Sequence, residues 1–120
     1  MISQIDKSGV NLELDSDLKK YIDKKVGRLD RFMPRQARKM VRASVKMRET
    51  SNQAGEKYVC EVILHLPGEA MTAKETTLNM FAAVDIVEAK LKNQLKKYKA
   101  THVQRAKEQH QGWFKRVFSR

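Results

Sequence analysis

Two stretches of this chain repeat apolar residues at helical spacing, and the stretches around them alternate or run apolar as strands do. In "LELDSDLKKYIDKKVGRLDRFMP", Leu18, Ile22, Val26, Leu29 and Met33 recur at spacings of four, four, three and four, one stripe of a helix. Asp15 or Ser16 stands just before it as N-cap, an oxygen for the orphan amides of the first turn. Pro34 disfavours helical geometry at Met33 and predicts the stop there. A second, longer stripe holds Met80, Val84, Val87, Leu91, Leu95 and Tyr98, with Thr76 or Thr77 as the expected cap. Between the helices, Val41, Ala43, Val45 and Met47 alternate with Arg42, Ser44, Lys46 and Arg48, the period of a half-buried strand. "YVCEVILHLPG" is a second strand with Cys60, Val62, Leu64 and Leu66 on one face, closed by Pro67-Gly68. "ISQIDKSG" at the start and "AMTAKE" after the turn complete four strands, with "TSNQAGEK" a loop. The order β-α-β-β-β-α predicts an α+β domain, with two helices on one face of a four-stranded, mostly antiparallel sheet.

At 120 residues, with 41% hydrophobic and 32% charged positions, the chain suits one globular domain. No apolar run approaches the ~18 residues of a membrane span, and the N-terminus lacks a signal peptide's apolar core. The lone Cys60 has no internal disulfide partner, which fits a reducing, cytoplasmic setting.

Charge changes the picture more. The net charge is +11, and it is segregated along the chain. Residues 1–18 balance to −3, residues 19–48 to +10, residues 49–89 to −5 and residues 90–120 to +9. Two basic blocks separated by an acidic one are what a polyanion-binding face requires and what mere solubility does not. At about 100° per residue, Lys20, Lys24, Arg28 and Arg31 share one side of the first helix, with Asp23 and Asp30 off it. On the last helix Lys90 and Lys97 lie on one flank of the apolar stripe and Lys92, Lys96 and Lys99 on the other. A composite phosphate-binding surface is the favoured reading, and a pair of solvated helix faces the bland alternative.

These same segments carry a resemblance. "NLELDSDLKKYIDKKVGRLDRF" resembles the first-helix region of the bacterial ribosome hibernation-promoting factors, also called ribosome-associated inhibitors. "KYVCEVILHLPGEAMTAKETTLNMFAAVDIVEAKLKNQLKKYK" is similar to the remainder, with the "HLPG" turn, the "MFAAVD" helix start and the "KLKNQLKKYK" end. The resemblance covers about residues 1–100 and implies a double-stranded-RNA-binding-domain-like fold. It further implies binding to the small ribosomal subunit where tRNA and mRNA sit, inhibiting translation in stationary phase or stress. By position in the matching motifs, the implied rRNA contacts are Lys24, Lys25, Arg28, Arg31, Lys90, Lys97 and Lys99. Lys20, Lys92 and Lys96 are candidates from helix geometry alone. Lys7 departs from the resemblance, standing where an apolar residue is usual, so the register of the first strand is open. Gly27, within "GRL", is either tolerated or leaves room for RNA backbone to approach; Ile86 lies on the basic side of its helix.

Catalytic readings find little support. His65, His102 and His110 lack zinc or nucleophile-base spacing, and the glycines form no phosphate loop. Cys60 falls on the presumed core face. The expectation is a binder and not an enzyme, with no metal, cofactor or small-molecule substrate. Competing readings are a general RNA-binding module, or a membrane or protein-partner binder driven by the tail. The ribosome-binding domain is expected over residues 1–101, followed by a basic aromatic tail over 102–120. In that tail Trp113, Phe114, Arg116 and Phe118 are the candidate contacts, in a helix formed on contact with RNA, membrane or the domain itself. The length after Thr101 is short for the dimerising domain of long family members, which implies a short form.

Overall fold

A computed structural model describes the backbone of residues 1–50, 55 and 57–118, and the side chains of those up to Thr101. Strand β1 (Ile5–Val10) leads into helix α1 (Ser16–Gly27), which tightens into a 3₁₀ segment over Arg28–Phe32. A four-residue helix α2 (Arg35–Arg38) then precedes β2 (Arg42–Glu49), β3 (Tyr58–Leu66), β4 (Glu69–Thr77) and the long helix α3 (Met80–Phe118).

The sheet order is β1-β2-β3-β4, with β1 and β2 parallel and the other two pairs antiparallel. Alternation fixes the register: Ile5, Ala43, Leu64 and Met71 lie in one cross-strand row, and Lys7, Val45, Val62 and Ala73 in the next. The open register of β1 is thereby resolved. Lys7 sits on the helix side of the edge strand and reaches Asp23 of α1 at 2.6 Å, so a cation replaces an apolar contact there. The β3–β4 hairpin turns on Pro67 and Gly68 alone; Gly68 takes a φ of 80°, the left-handed position that follows a proline in such a turn.

Both long helices cover one face of this sheet. Leu18, Ile22, Val26 and Leu29 from α1 and its 3₁₀ extension meet Val84, Val87, Leu91 and Leu95 of α3 over Ala43, Val45, Met47, Cys60, Val62 and Leu64. Contacts between the helices advance together, from Tyr21–Phe81 through Arg28–Glu88 to Phe32–Lys92, so α1 and α3 run parallel.

The helix boundaries follow the side-chain chemistry. Asp15 is the N-cap of α1, its carboxylate accepting from the Leu18 amide at 2.7 Å. The cap of α3 is neither Thr76 nor Thr77, both of which remain in β4. It is Asn79, whose Oδ1 accepts from the amides of Phe81 and Ala82 at 2.8 and 3.3 Å. The strand outcompetes the cap because Thr76 and Thr77 complete the ladder with Val59 and Tyr58. Gly27 offers no room to RNA: it is buried under Met1, whose Cε stands 2.7 Å from where a Cβ would be. The backbone of α3 continues without a break past Thr101 to Phe118. The contact residues expected in the tail, Trp113, Phe114, Arg116 and Phe118, lie outside the residues whose side chains are described.

Candidate nucleic-acid interface

Helix α1 presents three solvent-side flanks around its buried stripe, and each has a different fate. On the β1 side, Asp23 takes the Lys7 ammonium and Asp30 takes the N-terminal ammonium of Met1 at 3.0 Å. On the α3 side stand Tyr21, Lys25 and Arg28. Between them Lys20, Lys24 and Arg31 point to solvent and make no ion pair with any described residue. Asp23 of α1 and Asp30 of the 3₁₀ segment are thus consumed by the sheet and the N-terminus. The outer line of cations is left uncompensated.

The α1–α3 seam holds the opposite arrangement. The Tyr21 hydroxyl donates to Asp85, and its ring meets Phe81 edge-on at 5.0 Å. That hydrogen bond, with burial and the Asp85 charge adding to it, pushes the Tyr21 phenol up to about 12. The Lys25 ammonium lies 3.3 Å from the same carboxylate and 5.5 Å from the Tyr21 ring centre. Arg28 places Nη2 and Nε at 3.0 and 3.2 Å from Glu88, a carboxylate only 14% exposed. Lys25 and Arg28 are therefore neutralised locally and fixed in direction. Further along, Lys92 and Lys96 sit 5.1 and 5.9 Å from the Phe32 ring, bridging the 3₁₀ segment and α3.

On the far flank of α3, Lys90 donates to Glu75 at 2.5 Å and to the Lys74 carbonyl at 3.0 Å. Gln94 donates to the Thr72 carbonyl at 3.3 Å. Together they cover outward carbonyls of the edge strand β4, and Lys90 holds the Glu75 carboxyl below its ordinary range. Lys97 and Lys99 are exposed and make no ion pair with any described residue. Lys97 borders a recess of about 360 Å³ between α3 and the start of β4, lined also by Glu69, Thr72 and Tyr98.

The fold brings several of these residues to one end. Because α1 and α3 run parallel, Arg31 and the cluster Lys92, Lys96, Lys97 and Lys99 all lie toward the β3–β4 hairpin. Asp15, Asp17 and Asp85 lie toward the helix starts. A further group is not among the residues singled out in sequence: Arg35, Arg38 and Lys39, exposed at the same basic end. Their signal was the charge of residues 19–48; what hid them was the absence of a helical stripe in so short an element. Cys60, by contrast, is fully buried, and burial pushes its thiol up to about 12, so it stays protonated. His65 lies on the open sheet face, its Nε2 3.4 Å from the Ser44 hydroxyl.

Residues 5–103 match the model of the family described as sigma 54 modulation protein / S30EA ribosomal protein. The chain belongs to this family. A relative from Deinococcus radiodurans named "Ribosome hibernation promotion factor" is 31% identical over 101 residues, covering 84% of this chain and 51% of the relative. One from Azotobacter vinelandii, "Ribosome hibernation promoting factor", is 30% identical over 102 residues, covering 85% and 88%. The chain thus spans about half the length of the Deinococcus protein and most of the Azotobacter one. Among solved structures, the Thermus thermophilus Protein Y N-terminal domain matches with a TM-score of 0.68 at 28% identity, over 79% of this chain and 98% of that one. A ribosomal subunit interface protein from Coxiella burnetii matches with a TM-score of 0.64 at 26% identity, over 81% and 98%. The α+β fold of the S30EA family is the one built here by the two apolar stripes.

Proposed function

We propose that this chain is a ribosome hibernation factor acting in the cytoplasm. It binds the small ribosomal subunit at the tRNA and mRNA sites and inhibits translation in stationary phase or stress. What supports this is the display of uncompensated cations, Lys20, Lys24 and Arg31 on α1 with Lys97 and Lys99 on α3, in a family whose curated relatives carry hibernation-factor names. Each phosphate contacted releases condensed counterions, so affinity derives largely from salt-dependent electrostatics. Lys92 and Lys96 extend the surface over Phe32. Lys25, Arg28 and Lys90, whose charges are paired within the protein, shape the surface from inside and add little net charge to it. Inhibition is steric: a domain on those sites excludes tRNA and mRNA without chemistry, cofactor or small-molecule substrate. Recognition rests with residues 1–101, and residues 102–120 add affinity without setting the site.

The test is co-sedimentation with purified small subunits. Replacing Lys24, Arg31 and Lys97 by Glu should abolish binding at moderate salt while leaving the thermal midpoint near that of the parent. The parent should also compete with initiator tRNA. Undiminished binding of the triple variant, or simultaneous binding with tRNA, would overturn the placement.

A further inference from the structure

The connector between α1 and β2 is held at both ends and displays its middle. Ala37 and Val41 are buried at 3% and 6% exposure. The amides of Ala37 and Arg38 donate to the Pro34 carbonyl at 3.0 and 3.3 Å, and those of Met40 and Val41 donate to Ala37 at 3.1 and 3.0 Å. Arg38 Nε adds a bond to the Met33 carbonyl at 3.2 Å. Between these anchors the Met40 side chain is 68% exposed. Flanking it in sequence are Arg35, Arg38, Lys39 and Arg42, all exposed and without an ion pair to any described residue. The acid that precedes the corner, Asp30, is occupied by the Met1 ammonium. A large apolar side chain held in water by a rigid turn has no role in the core, and a segment this rich in exposed cations is a poor site for an apolar protein partner. A nucleobase flanked by phosphates matches both features: the base meets the thioether, the phosphates meet the cations.

We propose that this corner, residues 35–42, is a second contact for single-stranded RNA. Met40 packs against an unstacked base, while Arg35 and Lys39 hold the neighbouring phosphates. The inference rests on the RNA-binding reading above and adds the strand type and the residues that grip it. It also orients the domain, since the corner joins the helix layer to the open sheet face through Arg42 and extends the basic end around the hairpin side.

The experiment titrates the full chain with a short oligouridylate at several salt concentrations, in parallel with sedimentation on small subunits. Arg35→Gln with Lys39→Gln should flatten the dependence of log K on log salt by about 1.4, two single-strand phosphate contacts. Met40→Ser should weaken binding about two- to tenfold at unchanged slope, because the lost contact is uncharged, and Met40→Leu should recover part of it. An unchanged slope in the first variant, parental affinity in Met40→Ser, or an effect of both confined to anionic lipid vesicles would overturn the proposal. Oligouridylate binding of the expected form without sedimentation on subunits would overturn the ribosome reading and leave this contact standing. Sedimentation unaffected by either variant would do the reverse.

Discussion

One oxygen of Asp85 on α3 receives both the Tyr21 hydroxyl and the Lys25 ammonium from α1. The second half of α1 is therefore joined to the start of α3 by a polar clasp laid over the Tyr21–Phe81 ring contact. A phenol raised to about 12 in the folded state stabilises the fold fully below its unfolded value near 10. That contribution is lost as pH rises from about 10 through 12. Ultraviolet titration of the tyrosines should show a late component from Tyr21 that moves down in Asp85→Asn, while that of Tyr98, raised by its burial, stays in place. Tyr21→Phe should cost about 0.5–1.5 kcal/mol in urea unfolding at neutral pH, the range for one net hydrogen bond.

Arg28 and Arg31 are one helical turn apart and should respond oppositely to the same change. Arg28→Glu sets a carboxylate against the mostly buried Glu88 and should cost about 1–3 kcal/mol of stability. Arg31→Glu, at an exposed position with no ion pair to any described residue, should stay within about 0.5 kcal/mol and act on the proposed RNA binding alone. Pairing Arg28→Glu with Glu88→Arg should restore the thermal midpoint.

The covering of β4 by Lys90 and Gln94 predicts a change in self-association. With both replaced by Ala, the Lys74 and Thr72 carbonyls are bared on an edge strand, and light scattering should detect oligomers at concentrations where the parent is monodisperse. The Lys90–Glu75 pair carries a pH signature too. A carboxyl lowered by its lysine partner stabilises the fold above its unfolded value and loses that contribution as pH falls through the lower, folded one. The stability gap between the parent and Lys90→Met should narrow as pH falls below the ordinary glutamate value of about 4.3.

Gly27→Ala is expected to be neutral or to stabilise by up to about 1 kcal/mol, the helix-propensity difference. The new methyl crowds only the flexible end of Met1, which can swing aside, and meets Ile5 Cδ1 and Met1 Cβ at an ordinary contact distance of 3.7 Å. RNA affinity should not change, since the position is buried. Asn79→Ala should cost about 0.5–2 kcal/mol through loss of the α3 cap, while Ala at Thr76 should cost less than that in thermal unfolding.

Much of the fold was legible because its apolar residues keep strict periods. Leu18-Ile22-Val26-Leu29-Met33 and the α3 stripe declared their buried faces, as Val41-Ala43-Val45-Met47 did in the sheet. The parallel pairing of β1 was not, since its partner is chosen by a crossover and not by local pattern. Helix α2 is too short to show periodicity. In the interface, helical geometry located the cations but was blind to which of them have partners across the fold. Arg28 and Arg31 look alike on a helical projection; only the position of Glu88, sixty residues on, separates them.

The parallel course of α1 and α3 has a kinetic consequence. With Asp15, Asp17 and Asp85 toward the helix starts and Arg31, Arg35, Arg38, Lys39 and the α3 lysines toward the hairpin, the described charges form an electric dipole on top of the net positive charge. In the field of a polyanion such a body feels a torque before it feels a contact, and turns its hairpin end forward while still about one Debye length away, ~10 Å at 0.1 M salt. Encounter thus begins from a sorted set of orientations, and a larger fraction of collisions arrives ready to dock. Swapping acidic and basic residues between the two ends at constant net charge should slow association while leaving the diffusion coefficient of the domain as it was.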